Sequence, residues 1–347
     1  MMKTILTVLS VSLLFLSCTV NKEKNFQVTT FEIPDISIRA IEAIDKNTMW
    51  FAGSNGQVGF TKTKGLSFEI DTISYDTLKP EFRSIAVTDS AVFVLSIASP
   101  ALLYKSTDEG KNWKLVYKED DPSAFYNAMA ISKNGFGVAV GDPIDECLSV
   151  IITENSGDNW RKISCDSLPI VVNGEAGFAA SNSNVNIIGD NVWLVSGGTR
   201  ARVFHSENKG ETWSVYNTPI VQGGQMTGIF SSHFYDSQNG IIVGGDWNQK
   251  DKNTENKAIT SDGGRTWTLT AEGEGPSYRS SVRYIPGSNG QELVAVGTPG
   301  ISYSKDGGMS WKKVSEEPFY TIRFVPDGKS AWLAGSGKIG KLELTDQ

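Results

Sequence analysis

The stretch Ser304-Lys-Asp-Gly-Gly-Met-Ser-Trp311 places a hydroxyl residue, Asp, Gly and Trp at the spacing S-x-D-x-G-x-x-W. Four more copies keep this pattern with Asp or Asn in the third position, and a degraded copy ends in Phe. They span residues 106–113, 153–160, 206–213, 260–267 and, for the degraded copy, 61–68. The copies start 44 (260 to 304) to 54 (206 to 260) residues apart. This interval is typical of a four-stranded repeat unit rather than of a helical or leucine-rich repeat.

Each copy has the composition of a locked hairpin turn. The Asp or Asn side chain can accept hydrogen bonds from backbone N–H groups, the Gly tolerates a positive φ, and the aromatic ring packs on a neighbouring strand. Because the turn recurs along the chain while a ligand site occurs once, we assign these residues a structural role and no ligand.

Between the turns lie apolar runs rich in β-branched residues, and no segment shows a sustained helical period. The second strands of the repeats are predicted at residues 49–53, 92–96, 137–141, 192–196, 240–244, 293–297 and 331–335. The sequence therefore predicts an all-β fold over residues 26–347, a seven-bladed β-propeller in one domain.

The chain ends supply the predicted closure of the ring. The seventh repeat stops after three strands, at residues 341–344, while residues 26–33 form a lone strand before the first repeat. Pairing the two completes the last blade and leaves no open sheet edge.

The motif Val296-Gly-Thr-Pro-Gly-Ile-Ser-Tyr-Ser-Lys-Asp-Gly-Gly-Met-Ser-Trp311 resembles the repeats of BNR/Asp-box propellers. Residues 26–347 are most similar to seven-bladed members such as the photosystem II assembly and stability factors and their exported bacterial relatives. The resemblance implies the propeller fold and a binding or assembly role. Related proteins are also catalogued as oxidoreductases or glycosyl hydrolases.

The N-terminus has the pattern of an export signal. Residues 1–18 contain a Lys followed by an apolar and hydroxyl run too short for a membrane span. The run ends in Leu14-Phe-Leu-Ser-Cys18, which resembles the lipobox of bacterial lipoproteins, whose Cys carries the lipid. The alternative is an ordinary cleaved signal. We expect a lipid-anchored protein of the cell envelope with a polar tether at residues 19–25.

Composition narrows the function classes. A net charge of −7 and a pI near 5.1 argue against nucleic acid. With only His205 and His233, we expect no histidine-based metal cluster, and no cofactor motif is present. Cys147 and Cys165 either form a disulfide in an oxidising compartment or remain two buried thiols. We expect a monomer.

Aligning the opening strands predicts a ring of polar side chains near the mouth of the central channel. Its members are Arg39, Arg83, Asn127, Glu175, Thr227, Arg279 and Thr321. For any single Arg of this ring, the alternative is a structural role, in which it donates a hydrogen bond to a backbone carbonyl of a neighbouring blade or forms an ion pair with Glu175. Three Arg at one level of an acidic protein favour a channel that accepts an anion or a carboxylate.

The loops between second and third strands add further candidates on the same face. They are Asp142, Asp145 and Glu146 in the third repeat, Thr199, Arg200 and Arg202 in the fourth, and an insertion at 246–256 that includes Asp246 and Trp247 in the fifth. Insertions on one face of a repeat scaffold are typical of recognition sites.

Two function classes remain open. The favoured one is a non-catalytic module that binds a protein or glycan at the channel mouth. The alternative is a glycan-active hydrolase, either with Asp142, Asp246 and Glu175 as carboxylates or, as in sialidases, with the three Arg, Tyr278 or Tyr320 and Glu175. An oxidoreductase would need a cofactor, and no matching motif occurs. Convergence of the carboxylates across a cleft would distinguish the hydrolase from the binding module.

Overall fold

The structure, a computed structural model, describes residues 24–346, in which two short 3-10 helices, Cys165–Ser167 and Trp247–Gln249, accompany 29 strands. The prediction of an all-β fold is confirmed. Cys18 and residues 1–23 lie outside the described part. Within residues 24–346, no helix is long and apolar enough to cross a membrane.

The strands, in chain order, are β1 Lys24–Ala43, β2 Met49–Gly53, β3 Gln57–Thr61, β4 Glu69–Thr72, β5 Phe82–Val87, β6 Val92–Ser96, β7 Ala101–Ser106, β8 Lys114–Glu119, β9 Tyr126–Ile131, β10 Gly137–Ile144, β11 Cys147–Thr153, β12 Arg161–Lys162, β13 Glu175–Ala176, β14 Val185–Ile188, β15 Asn191–Val195, β16 Gly197–Gly198, β17 Arg202–Ser206, β18 Ser214–Asn217, β19 Thr227–Phe234, β20 Gly240–Asp246, β21 Lys257–Thr260, β22 Thr268–Leu269, β23 Ser281–Tyr284, β24 Leu293–Gly297, β25 Gly300–Ser304, β26 Lys312–Ser315, β27 Thr321–Phe324, β28 Ser330–Ala334 and β29 Ser336–Asp346.

Antiparallel pairing groups the described strands into four sheets of four strands, one of six and one of seven. The six-stranded sheet consists of β19 to β22 extended by β13 and β16, and the seven-stranded sheet consists of two four-stranded units that share β1. The innermost strands of units 1 to 7 are the second half of β1, then β5, β9, β14, β19, β23 and β27. Each contacts the next in chain order, and β27 contacts β1 again. The innermost strands therefore surround a central channel, and the apolar cores lie between neighbouring units.

Strand β1 belongs to two units. Its first half pairs with β29, from Lys24 opposite Asp346 to Glu32 opposite Lys338, and its second half pairs with β2. Phe26 and Val28 pack on the core between units 6 and 7, and Phe31 packs on the core between units 7 and 1. The N-terminal strand thus completes the unit formed by the C-terminal strands.

The repeated turns share one hydrogen-bonding scheme. In the turn at residues 106–113, the hydroxyl oxygen of Ser106 accepts from Gly110 N–H at 2.9 Å, and Asp108 Oδ1 accepts from Asn112 N–H at 2.9 Å. Gly110 has φ +82°, a value that disfavours other residues. The turns also bond the loops that follow the innermost strands, as Lys64 N–H does to Asn47 O. These turns therefore mark one end of the channel, called here the turn face, and the opposite end is the mouth.

Cys147 begins β11 and Cys165 begins the first 3-10 helix. The two form a disulfide, with their Cα atoms 5.5 Å apart. Both lie beside the core between units 3 and 4, so the bond ties the outer edge of unit 3 to that core.

Candidate binding site at the channel mouth

A segment between β13 and β14, residues 177–184, occupies the central channel and is called here the plug. Ser181, Ser183 and Asn184 are fully buried in it. Asn182 has a left-handed φ of +53°, a conformation that Asn adopts more readily than most residues. The innermost strands of a propeller-like ring leave backbone N–H and C=O groups unpaired along the edge that faces the channel. A polar segment in the channel can form hydrogen bonds with these groups.

The plug bonds to innermost strands on several sides of the channel. Asn182 Nδ2 donates to Ile85 O at 2.8 Å, and its Oδ1 accepts from Met129 N–H at 2.8 Å. Other contacts are Ser181 Oγ to Ser280 O, Thr321 Oγ1 to Ser181 O, Arg323 Nη2 to Asn182 O, and Ser232 N–H to Ser183 O. The plug therefore separates the mouth from the turn-face end of the channel.

Asp142 fastens the start of the plug. Its Oδ1 accepts from Gly177 N–H at 2.9 Å and from Asn127 Nδ2 at 2.8 Å. A Cβ on residue 177 would lie 2.3 Å from Asn127 Nδ2, so only Gly permits this approach. Burial raises the pKa of Asp142, although both hydrogen bonds favour its ionised form.

Above the plug, four side chains at the mouth come from β-bulges. Arg39, Arg83, Asn127 and Phe230 are each the extra residue where the innermost strand shifts register against its neighbour. A bulge adds one unpaired residue and redirects its side chain. Here the four bulges bring these side chains to one level of the ring.

Arg39 and Arg83 form a pair of like charges at this level. Each makes one long hydrogen bond to the plug, from Nη1 to Ala180 O at 3.5 Å and to Ala179 O at 3.4 Å, respectively. The guanidinium of Arg39 also lies 4.0 Å from the ring centre of Tyr320. Among residues 24–346 neither Arg has a carboxylate at ion-pair distance, and Arg39 Nε is buried without a partner.

Electrostatics shows that this pair is only partly compensated. Burial, and secondly the charge of Arg39, lower the pKa of Arg83, while the charge of Glu81 acts in the opposite direction without outweighing them. Both side chains are half-buried, so they remain reachable from the mouth. An incoming carboxylate would supply the missing acceptors and remove the mutual repulsion of the two cations.

An aromatic row lies on the other side of the mouth. Phe178 of the plug stacks on Phe230 with ring centres 3.8 Å apart, and Phe230 meets Tyr278 edge-on at 4.8 Å. Tyr278 meets Trp247 edge-on at 5.3 Å, and Lys250 Nζ lies 3.8 Å above Trp247. Phe178 and Trp247 are partly exposed, which gives this side of the mouth an apolar surface.

Buried Lys257 holds the loop beside this row. Only 1% of Lys257 is exposed, and its Nζ donates to Asn256 Oδ1 at 2.7 Å and to Glu274 O and Pro276 O at 3.2 Å. Burial is the main cause that lowers the pKa of Lys257 from 10.5 to about 8. The three acceptors keep the ammonium in place but include no carboxylate.

This shift predicts a pH-dependent stability. The unfolded chain keeps the Lys257 proton up to a pKa near 10.5 while the folded chain releases it near 8, so the folded state binds fewer protons between these values. Stability relative to Lys257→Met should therefore rise by about 2 kcal/mol from pH 8 to pH 10. Urea unfolding at both pH values measures it. Exposed Lys46→Met is the control, and an equal pH slope in wild type and Lys257→Met would contradict the assignment.

Two predicted ring members lie elsewhere. Arg279 is 2% exposed and points into unit 6, where Nη2 donates to Ser302 Oγ and Nη1 to Tyr278 O, both at 2.8 Å. The strand register explains this difference. Ser281 pairs with Val296 in unit 6 as Ser84 pairs with Leu95 in unit 2, so these two Ser residues are equivalent. Arg279 therefore lies one residue before the position that Arg83 occupies in the channel. Thr227 precedes the unit 5 bulge and bonds Gly224 O locally. Thr321 does reach the channel, where it bonds the plug.

Glu175 is also outside the ring. It lies in β13, which was predicted as the opening strand of the fourth repeat, whereas the innermost strand of unit 4 is β14. Its carboxylate binds Arg202 through two oxygens, Oε1 to Nε at 2.9 Å and Oε2 to Nη2 at 2.5 Å. It also accepts from Ser196 Oγ and Val172 N–H. Glu175 and Arg202 therefore form a saturated structural pair, while Arg200 is exposed on the adjoining loop.

Asp246 has a local role as well. It caps the second 3-10 helix, accepting from Asn248 N–H at 2.8 Å and from Gln249 Nε2 at 2.9 Å. Asp142, Asp246 and Glu175 thus each bond to their own surroundings. Tyr278, the other hydrolase candidate beside Tyr320, is 1% exposed.

Solved structures similar to this chain are β-propellers. A structure described as YCF48 bound to D1 peptide has a TM-score of 0.67 at 17% identity, covering 92% of this chain and 97% of that one. YCF48 from Cyanidioschyzon merolae gives 0.63 at 16% identity with 90% and 98% coverage. The WD40 propeller domain of Doa1 gives 0.63 at 11% identity with 92% and 97% coverage. No family model and no curated protein matches the sequence. These likenesses show the β-propeller fold.

Proposed function

We propose that the chain is a seven-bladed Asp-box propeller that acts as a protein-binding module, and that its channel mouth holds a peptide segment of the partner through the free C-terminal carboxylate of that segment. The observation that carries the proposal is the arginine pair. Arg39 and Arg83 lie half-buried at one level, repel each other and have no carboxylate partner among the described residues. A buried charge is usually paired, so a site that leaves two cations unpaired suits an anionic ligand.

The chemistry of the mouth favours a peptide over a small anion alone. The aromatic row from Phe178 to Trp247 lies on the other side of the mouth from the arginine pair and offers contact area for apolar side chains. The plug closes the channel below, so the ligand rests on the mouth and does not thread through. A similar propeller, YCF48, has been solved with a D1 peptide, which supports a peptide as the ligand class.

A screen of peptides tests this function. Random C-terminal hexapeptides should bind as free acids and not as C-terminal amides, with apolar residues enriched near the end. The double variant Arg39→Met/Arg83→Met should lose these binders. Arg161→Met/Arg265→Met is the matched control, because it removes the same charge from exposed positions at or beside the repeated turns. Equal recovery of acids and amides, or unchanged recovery with the mouth variant, would exclude the proposal.

We further propose that the protein is exported and anchored through Cys18, which lies outside the described residues. The apolar run and the lipobox-like segment 14–18 support this placement. In the native host, Cys18→Ala should move the protein from the membrane fraction to the soluble fraction. Unchanged membrane partitioning would contradict the anchor.

A further inference from the structure

A second charged cluster lies in the channel at the turn face, below the plug. Glu42, His233, Arg283 and Arg323 occupy equivalent register positions near the ends of their innermost strands, each three residues beyond the mouth level. Asn186 holds this position in unit 4, while Ala86 and Ala130 hold it in units 2 and 3. The polar side chains therefore come from adjoining units 4 to 7 and 1, and we call their enclosure the lower chamber.

The four ionisable side chains face one another. Arg323 Nε lies 3.6 Å from Glu42 Oε1, and Arg323 Nη2 reaches up to Asn182 O of the plug at 2.6 Å. The charges of Arg283 and Arg323 act on both Glu42 and His233. The Glu42 side chain keeps 30% of its surface accessible, so open space remains beside it.

The lower chamber has surplus hydrogen-bond donors. Arg283 is 9% exposed, and only its Nη1 has acceptors, Val282 O at 2.9 Å and Ser232 O at 3.4 Å. His233 Nδ1 accepts from Tyr284 N–H at 3.0 Å, which leaves the ring proton on Nε2. Within residues 24–346 neither His233 Nε2 nor Arg283 Nε and Nη2 has a hydrogen-bond partner.

The formal charges in the lower chamber also indicate that an anion would be bound there. Arg283 and Arg323 contribute two positive charges and Glu42 at most one negative charge, because burial raises the pKa of Glu42. Burial lowers the pKa of His233, which favours the neutral ring, and burial together with the charge of Arg323 lowers the pKa of Arg283. One buried positive charge is left without compensation. Because a positive charge held away from bulk water is unfavourable without a partner, the arrangement favours a negative charge from outside the protein.

We infer that the lower chamber binds one small monovalent anion, of the size of chloride or formate, between the free donors of Arg283, the guanidinium of Arg323 and Nε2–H of His233. The plug separates this site from the mouth. The inference therefore does not depend on the proposed peptide-binding function.

Chloride binding to the purified protein tests the inference. At constant ionic strength made up with gluconate, an anion much larger than chloride or formate, the ³⁵Cl NMR line should broaden with protein and sharpen when formate competes. Arg283→Met should weaken chloride binding at least tenfold. Glu42→Gln removes the competing carboxylate and should strengthen it about tenfold. A purely structural cluster would not show these opposite effects.

A control variant and a background variant separate the possible outcomes. Exposed Arg265→Met should leave chloride binding unchanged. The titrations are repeated in the Arg39→Met/Arg83→Met background, where chloride bound at the mouth no longer contributes to the line width and the effects of Arg283→Met and Glu42→Gln should persist. If Arg283→Met does not fold, the chloride affinity of Glu42→Gln alone tests the inference. The absence of chloride-dependent broadening in the wild type, displacement by gluconate, or an unchanged affinity in Glu42→Gln would overturn the inference.

Discussion

A chain that begins at Pro34 is expected to melt about 10 °C or more below one that begins at Lys24. The truncation removes the half of β1 that pairs with β29 from residue 24 to residue 32. It also takes away Phe26, Val28 and Phe31 from two cores, and Phe26 lies 4.8 Å from Tyr303. Burial of each such side chain contributes about 1.5–3 kcal/mol, so the loss is roughly 5 kcal/mol or more.

The matched control and a rescue make this result specific. The chain beginning at Lys24 keeps the whole strand and should melt like the full-length protein. A synthetic peptide of residues 24–33 added to the shorter chain should restore the melting temperature, because it can occupy the open edge of β29. Identical melting curves for the two chains would refute closure of the ring by the N-terminal strand.

Asn182→Ala is expected to destabilise the protein by about 3–5 kcal/mol. The substitution removes two long-range hydrogen bonds and leaves Met129 N–H and Ile85 O unpaired in the interior. Alanine must also adopt the φ of +53° that Asn tolerates. Unfolding in urea, monitored by tryptophan fluorescence, measures the change.

Asn289→Ala is the control for backbone conformation. Asn289 has nearly the same φ, +52°, but is exposed in a turn of unit 6. Its substitution should reduce stability by less than about 1 kcal/mol, which is typical of a surface change. If the two variants were equally stable, the plug would not be a structural part of the channel.

The all-β fold could be predicted from the sequence because each repeat carries its own local signal. The hydroxyl, Gly and Trp of each turn form bonds within eight residues, as the contacts of Ser106 and Gly110 show. Pairing of residues 26–33 with the C-terminal strand followed from counting strands. Neither inference required knowledge of distant contacts.

The plug could not be predicted in this way because its partners are far away in sequence. Asn182 bonds residues 97 and 53 positions away, and no local pattern records such contacts. One signal was present, since 17 residues separate Glu175 from Val192 (192 − 175) while 10 separate Phe82 from Val92 (92 − 82). The excess length in the fourth repeat indicated an insertion before its first strand.

The candidate arginines show how sensitive a site is to register. Arg39 and Arg83 are bulge residues and reach the mouth, whereas Arg279 lies in a similar motif, Tyr278-Arg-Ser-Ser281, without the bulge. A shift of one residue turns a side chain to the other face of a strand. A sequence motif alone does not record the bulge, so Arg279 was placed wrongly and Phe230 was missed.

The central claim is that Arg39 and Arg83 recognise a carboxylate at the mouth, and a thermodynamic cycle tests it most directly. Calorimetric titration compares the best-binding peptide as free acid and as C-terminal amide, with the wild type and with Arg39→Met/Arg83→Met. We predict that the acid binds the wild type at least about 30-fold more tightly than the amide, a difference of about 2 kcal/mol, and that the variant abolishes this preference. A variant that still prefers the acid by the same factor would contradict the account.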